Sequence, residues 1–519
     1  MKNKVIYLAI LAAGFASCEP EFENELSNGN YSAGDADFSS YVAIGNSLTA
    51  GYMDGTVSRG SQSYSFPSIL ASQFALVGGG VFTQPSYAED TGNLGGISGI
   101  PGFPNRLIID AAAGGPEPIA GTSTITLTPQ ASAFNNMGVP GAKTFHLLAP
   151  GYGNPAGLAQ NPPMANPYFV RMATSASASV LGDAMTKNPT FFTNWIGNND
   201  VLGYATSGGS GSTEGLTTAD ITPEPLFEQS YNTIINTLTA NGAKGVVATI
   251  PNVTAIPFFT TVPYNPLTAA AIGGGNEANG VALIGQLNAS LLGPVKQILT
   301  GLGQGDRLQL LSTTEANPLL IKDETLTNHQ AQIAGALAGA GVPGPQANLI
   351  GAVFGQARHA TGQDLVLLTT RTVIGTAPAS PLAIDPLNKY GVTFPLDDQH
   401  VLTVDEVAIV TDATASFNNI IRDAAEAKGL GVVDMNAIMN QLASGLRVED
   451  GSIYTADYFS TATLSTVMFS LDGIHPNARG YALIANEVIK VINAHYNARL
   501  PLVSAGSYPG ATVLPTNGN

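Results

Sequence analysis

Ser47 follows a short apolar segment and precedes a run of small residues. Segment 41–52 reads Tyr-Val-Ala-Ile-Gly-Asn-Ser-Leu-Thr-Ala-Gly-Tyr, in which four β-favouring residues lead into a glycine, a polar residue and the serine. A serine at the carboxyl end of a buried parallel strand, just before a helix, has backbone N–H groups beside it that can stabilise an oxyanion. This layout favours a nucleophilic serine, which needs a base from elsewhere in the chain.

His475 is the predicted base. It lies in segment 470–477, Ser-Leu-Asp-Gly-Ile-His-Pro-Asn, three residues after Asp472 and just before the last predicted helix. This spacing lets a carboxylate contact the near ring nitrogen while the far nitrogen points outward, as nucleophilic catalysis by serine requires. Taken alone, Asp-x-x-His is a pattern that arises often by chance.

Two further segments contain hydrogen-bond donors. Segment 135–144 is a polar turn after a short predicted strand, where Gly141 lets the backbone approach a ligand closely. Segment 195–200, Trp-Ile-Gly-Asn-Asn-Asp, ends an apolar strand with side-chain amides that can donate to an oxyanion. Taken singly, each segment is better explained as a loop that Asn and Gly stabilise.

Together these segments resemble the sequence blocks of the SGNH or GDSL hydrolase family, in order and in their positions at strand ends. In this chain, Gly-Asn-Ser-Leu-Thr-Ala-Gly-Tyr is close to the family's first block, and Asp-Gly-Ile-His-Pro-Asn is close to its last block. The resemblance leaves out residues 75–130 and most of 251–398. The matching positions are Gly45-Asn-Ser-Leu48, Gly141, Gly197-Asn-Asn-Asp200 and Asp472-Gly-Ile-His475.

The resemblance implies a fold and a set of roles. The fold is a three-layer α/β/α, flavodoxin-like arrangement with a central parallel sheet and large insertions. Ser47 would be the nucleophile, His475 the base that later protonates the leaving group, and Asp472 the residue that orients the histidine.

The resemblance also implies an oxyanion hole. Its donors would be the backbone N–H groups of Ser47 and Gly141 and the side chain of Asn199. Asn199 is preferred because it directly precedes Asp200, as in the family's Gly-x-Asn-Asp block, and Asn198 is the reserve candidate.

Asn46 departs from the family pattern, whose name-giving motif has Asp at this position. That aspartate is not the acid of the triad, so we expect activity to persist. A carboxylate that could brace the loop has nevertheless become an amide.

Motifs for other chemistries are missing or weak. The chain has no Gly-x-Ser-x-Gly, which disfavours the α/β-hydrolase fold, and neither His-Glu-x-x-His nor paired cysteines, so no zinc site is indicated. Segment 138–144 superficially resembles a phosphate loop, but its lysine does not follow a glycine. Segment 397–400, Asp-Asp-Gln-His, could ligate a metal but is better explained as a solvated turn. We therefore predict no metal and no cofactor.

Apolar runs that alternate with helical patterns predict βα units around a parallel sheet. The predicted strands are Tyr41–Ile44, Ala133–Asn136, Phe191–Ile196, Gly245–Ile250 and Gly431–Asp434. The predicted helices are Ser63–Phe74, Leu226–Ala240, Val404–Lys428 and Ala478–Ala498.

Two stretches read as insertions into one hydrolase domain, which we place at residues 38–500, with a tail at 501–519. The first, about 75–130, is rich in Gly and Pro and contains a possible strand at Thr122–Thr128. The second, about 252–398, has helical segments around 281–302 and 330–340 and an apolar strand at 365–368. Insertions of this length usually form lids, pocket walls or a small subdomain.

Composition limits the function classes. The 519 residues suffice for one large α/β enzyme or for two to four average domains. With 44% hydrophobic and only 11% charged residues, the chain is too apolar to be disordered. A formal charge of −17 argues against nucleic acid as a partner, because neutralising phosphates needs clustered Lys and Arg.

The N-terminus is typical of an export signal over residues 1–17. Lys2 and Lys4 precede an apolar segment that is shorter than the roughly 20 residues of a membrane-spanning helix. Phe-Ala-Ser-Cys resembles a bacterial lipoprotein box, which makes Cys18 the expected lipidation site; an ordinary signal peptide is the alternative. Residues 18–37 read as a flexible tether whose acidic start resembles surface-export signals and equally fits a solvated linker.

These features predict an exported lipoprotein of the cell envelope, in the outer membrane, that cleaves carboxylic esters with Ser47; display at the cell surface stays open. The acyl chain and the alcohol stay open, and glycan and lipid esters both fit an envelope enzyme. The alternative is a surface lipoprotein of the same fold that binds glycan or lipid with little turnover. Asn46 and the two insertions motivate this alternative.

Overall fold

A central parallel sheet organises the protein. The computed structural model describes residues 30–110, 115–449, 451–460, 462, 463, 465–511, 513 and 514. The predicted signal segment, Cys18 and the tether as far as residue 29 lie outside the described residues. The sheet's strands are β1 (Tyr41–Gly45), β2 (Asn136–Gly138), β3 (Phe191–Trp195), β4 (Lys244–Ala248) and β5 (Gly431–Val433).

The strands lie in the order β5-β4-β3-β1-β2, and each neighbouring pair is parallel. Strands β1 and β3 are buried along their whole length, as expected for a parallel sheet covered on both faces. The carboxyl ends of parallel strands meet at one edge, where open α/β sheets bind ligands. Ser47 and Asn199 each follow a strand at this edge.

Helices flank the sheet in two pairs. Helix α2 (Phe66–Phe74) packs against α7 (Ala478–His495). Helix α4 (Glu224–Thr239) packs against α5 (Val404–Glu426), where the rings of Phe227 and Phe417 stack with centroids 4.0 Å apart. The sheet and its helices share one large hydrophobic core. The helices of this layer and of the site are α1 (Ser47–Ala50), α2 (Phe66–Phe74), α3 (Asn199–Thr206), α4 (Glu224–Thr239), α5 (Val404–Glu426), α6 (Met435–Ser444) and α7 (Ala478–His495).

Side-chain caps explain where these helices differ from the predicted bounds. The helix predicted over 63–74 is two helices, Arg59–Ser63 and α2, because the Ser65 side chain caps α2 and Pro67 lies in its first turn. Helix α7 ends three residues earlier than predicted, and Asn497 beyond it has the left-handed φ of 52°.

The first insertion lies beside the sheet's main core and contains a small sheet of its own. Strands Leu107–Asp110 and Gly115–Pro118 pair antiparallel, and Val513–Leu514 adds in parallel. The strand predicted at Thr122–Thr128 is wrong. Backbone groups there hydrogen-bond to side chains and not to another strand: Ser123 Oγ accepts the Ile125 N–H, and Arg171 Nε donates to the Thr126 carbonyl.

The second insertion has its own hydrophobic core, formed by helices Glu277–Leu287, Gly293–Gly301, Gln330–Gly339 and Gly344–Phe354. A π-helical turn, Asn288–Leu292, joins the first two. Strands Leu320–Lys322 and Ala357–His359 pair antiparallel, as do Leu365–Val366 and Val401–Leu402. Residues 252–398 therefore contain a packed subdomain.

The end of the predicted tether is docked on the end of the chain. Ser32 and Arg499 exchange backbone hydrogen bonds of 3.3 and 2.8 Å, and the Asp35 N–H donates to the Tyr496 carbonyl at 2.7 Å. The flexible tether predicted through residue 37 is therefore wrong for these residues, because the backbone of 496–499 offers them partners. Within the described ranges, no helix combines the length and apolarity needed to cross a membrane.

Candidate active site

Three side chains form a continuous hydrogen-bonded series. Ser47 Oγ lies 2.9 Å from His475 Nε2, and His475 Nδ1 lies 2.9 Å from Asp472 Oδ2. Serine and histidine are 428 positions apart in the chain, and the fold brings them together at the carboxyl edge of the sheet. This geometry lets the imidazole take the hydroxyl proton while the carboxylate stabilises the imidazolium.

Asp472 is held from several sides. Its Oδ1 accepts the N–H groups of Ile474 (2.9 Å) and His475 (2.8 Å) and the hydroxyl of Ser470 (3.0 Å), while its Oδ2 also accepts the Gly55 N–H at 3.2 Å. Burial by itself would raise the pKa of Asp472, but the charge of His475 and these hydrogen bonds outweigh it and lower that pKa. The carboxylate is therefore ionised and oriented at neutral pH.

The loop that carries the histidine is itself closed. The Ser470 N–H donates to the His475 carbonyl at 2.8 Å, and Gly473 has the left-handed φ of 71° that this tight turn requires. Asn477 caps α7 by accepting the Gly480 N–H at 2.9 Å, a contact of the kind that contributes about 1 kcal/mol. The segment that resembled a family block is thus a pre-shaped turn anchored on the last helix.

Asn46 caps the helix that carries the serine. Its Oδ1 accepts the Leu48 N–H at 3.0 Å, and its Nδ2 donates to Asn198 Oδ1 at 3.3 Å. Asn46 is fully buried. The amide therefore braces Ser47 and ties β1 to the end of β3 through Asn198, a bond that a carboxylate could make only if the Asn198 amide were reversed.

The predicted oxyanion donors fall into two groups. Ser47 and Asn199 both line the cavity at the site, whereas Gly141 is not among its lining residues. Asn199 Nδ2 donates to the Ala142 carbonyl at 2.9 Å, so its side chain lies against the turn that contains Gly141. Gly141 has a φ of 78°, and its N–H has no hydrogen-bond partner among the described residues.

Asp200 holds that turn in place. It is fully buried and accepts both the Thr144 N–H (3.0 Å) and the Thr144 hydroxyl (2.9 Å). Burial raises the pKa of Asp200 to about 6 despite these hydrogen bonds. The residue next to Asn199 thus fixes the distance between helix α3 and the Gly141 turn.

Asp54 is a site residue that the sequence did not single out. Its Oδ1 accepts the Leu471 N–H at 3.0 Å, and its own N–H donates to Ser470 Oγ at 3.0 Å. Through Ser470 it supports the loop of Asp472. Burial and the negative charge of Asp472 raise the pKa of Asp54 to about 7, although the Leu471 N–H and Arg106 lower it.

A pH dependence of stability follows from Asp54. Because its folded pKa of about 7 lies above the ordinary 3.8, folding takes up a proton between these values, and stability falls as pH rises through 7. We expect the free energy of unfolding of Asp54→Asn to rise by about 2–3 kcal/mol relative to that of the native chain between pH 5 and pH 8.5, since about two pKa units separate pH 5 from the folded pKa and one unit is worth about 1.4 kcal/mol. Thermal unfolding at both pH values measures this. In the control variant Asp423→Asn, at an exposed helix position, the free energy of unfolding should change with pH as it does in the native chain. An equal pH dependence in the two variants would contradict the expectation.

An apolar cavity of about 100 Å³ opens at Ser47 and His475. The start of the second insertion, helix α6, segment 468–476 and helix α7 supply most of its wall. The insertion also contacts the loop of Asp472 and His475, where the Phe258 N–H donates to the Gly473 carbonyl at 2.9 Å. Sequence reasoning missed this wall because its residues come from segments that are distant in the chain.

The comparisons with known proteins returned no relative: no protein-family model, no curated protein and no solved structure matches the chain.

Proposed function

We propose that the chain is a serine hydrolase of the SGNH or GDSL type that cleaves carboxylic esters through an acyl-enzyme on Ser47. The observation that supports this proposal most directly is the pair of 2.9 Å contacts that link Ser47, His475 and Asp472. The parallel sheet flanked by helices is compatible with the three-layer fold of that family.

In the first half of the reaction, Ser47 Oγ attacks the ester carbonyl carbon while His475 Nε2 takes the hydroxyl proton. The carbonyl oxygen becomes an oxyanion, which the N–H groups of Ser47 and Gly141 and the amide of Asn199 would stabilise. The intermediate then collapses: the carbon–oxygen bond to the alcohol breaks, and His475 gives its proton to the departing alkoxide.

In the second half, water attacks the acyl-enzyme and gives its proton to His475. A second oxyanion forms on the same donors and collapses to a carboxylic acid, and the proton on His475 returns to Ser47. Asp472 stays ionised throughout, since its lowered pKa suits it to stabilise the imidazolium and not to accept the proton. The steps require no metal or organic cofactor.

Hydrolysis of short p-nitrophenyl esters, together with fluorophosphonate labelling, tests the activity. We expect turnover of at least one ester and labelling that disappears in the Ser47→Ala variant. Equal labelling of the native chain and this variant, with no turnover on any ester, would overturn the proposal. Measurable glycan or lipid binding in that case would favour the surface binding protein considered above.

We also propose that the chain is exported and anchored in the cell envelope by a lipid on Cys18. The support is the basic and apolar start of the sequence followed by Phe-Ala-Ser-Cys. Metabolic labelling with a radioactive fatty acid should mark the native chain and not the Cys18→Ala variant.

A further inference from the structure

We propose that the substrate's acyl group is a linear aliphatic chain of medium length, longer than acetyl, and that it lies in the apolar cavity beside Ser47. This inference rests on the proposed function and narrows it to esters of fatty acids. It chooses between the two substrate classes, acetylated glycans and lipid esters, that the sequence leaves open.

The chemistry of the cavity wall carries the argument. Among the described residues that line it, four are polar, namely Ser47, His475, Asn198 and Asn199, and all four belong to the catalytic end. The same lining contains no Asp, Glu, Lys or Arg. A glycan needs several hydrogen-bond partners for its hydroxyl groups, because each buried unpaired polar group is costly. An alkyl chain needs none.

The flexible part of the wall suits a chain and not a rigid ring. Met435, Met439 and Met468 line the cavity and are buried. Methionine is unbranched and adapts its shape to irregular apolar ligands. Leu483 and Ile484 of helix α7 line the same cavity, so the residues that α6 and α7 contribute to its wall are apolar.

The size of the cavity sets the chain length. A cavity needs about 10–15 Å³ to hold one water molecule. A cavity of about 100 Å³ therefore holds roughly seven to ten water-sized groups, such as methylenes. An acetyl group would leave most of this space empty. A chain on the order of six to ten carbons would fill it and would displace water from an apolar surface.

A series of p-nitrophenyl esters from acetate to dodecanoate, below their aggregation limits, tests the proposal on the native chain. We expect kcat/KM to rise about two- to fourfold for each added methylene up to a medium length, and then to level off. A flat or falling series from acetate upwards, with hydrolysis and labelling intact, would overturn the acyl-chain proposal alone. Loss of hydrolysis and of fluorophosphonate labelling would instead overturn the proposed function and this inference with it.

A variant that fills the cavity gives a second test. Ile438 on helix α6 lines the cavity and is half-buried, so Ile438→Trp places a ring in the path of the chain. We expect the ratio of kcat/KM for octanoate to kcat/KM for acetate to fall at least tenfold. Ile409→Trp, at an exposed position of helix α5 away from the cavity, is the matched control and should keep the native series. Equal losses on acetate and octanoate in a folded Ile438→Trp variant would contradict the proposal.

Discussion

Ser47→Ala should lower kcat for ester hydrolysis by at least about 10⁴-fold, since the variant loses the hydroxyl that lies in hydrogen-bond contact with His475. The fold should be unaffected. Among the described residues, Ser47 Oγ hydrogen-bonds to the imidazole of His475, and the cap on helix α1 comes from Asn46. Initial rates with an activated ester, together with thermal unfolding, measure the two effects separately.

Ser72→Ala is the matched control, because Ser72 is an exposed serine on helix α2 whose hydroxyl donates to the Ile69 carbonyl and accepts from Gln73 Nε2, both within that helix. It should hydrolyse the ester at the native rate. Native activity in Ser47→Ala would rule out the acyl-enzyme. A large drop in melting temperature in Ser47→Ala would mean that the serine is structural.

The positions of four strands were predictable because each one is a mostly apolar run with a clear end. Predicted and observed strands at β1, β3, β4 and β5 agree to within two residues. Strand β2 lies about three residues later than predicted, at Asn136–Gly138. Its asparagines find buried partners that local sequence does not reveal: Asn135 Nδ2 donates to the Tyr41 carbonyl and Asn136 Nδ2 to the Thr49 carbonyl.

The candidate reactive residues were predictable by type, whereas the residues that hold them in place were not. Asp472 and His475 are three positions apart, so their pairing follows from a local turn. Asp54 contacts Leu471 across 417 positions, and no pattern around Asp54 distinguishes it from an ordinary turn residue. The cavity wall was hidden for the same reason, since its chemistry emerges only when α6, α7 and the second insertion are brought together.

Asn46 shows how structure can reinterpret a sequence departure. As a sequence feature, it replaced an aspartate of the family pattern and motivated an alternative with little turnover. In the structure its two amide functions are both used, one on the Leu48 N–H and one on Asn198 Oδ1. The amide therefore braces the serine turn from the position in which a carboxylate was expected, and the departure gives no reason to expect a slow enzyme.

Asp472→Asn should lower kcat on the order of 10³–10⁴-fold while leaving the serine and histidine in place. The carboxylate accepts the proton on His475 Nδ1 and thereby leaves Nε2 free to act as a base towards Ser47. An amide in its place can donate to Nδ1 instead, which puts the ring proton on Nε2 and blocks proton transfer from the serine. The rate should recover in part as pH rises, because hydroxide can then replace the base.

Asp90→Asn separates this catalytic effect from the loss of a buried carboxylate. Asp90 is also buried, and like Asp472 it accepts three backbone N–H groups, from Arg59, Leu94 and Gly95, but it has no contact with a histidine. Both variants should lose stability to a similar degree, since each weakens the same kind of charge-assisted hydrogen bonds. Only Asp472→Asn should lose hydrolysis. If the two variants kept equal activity per folded molecule, Asp472 would be a structural residue of the loop and His475 would need no carboxylate to act.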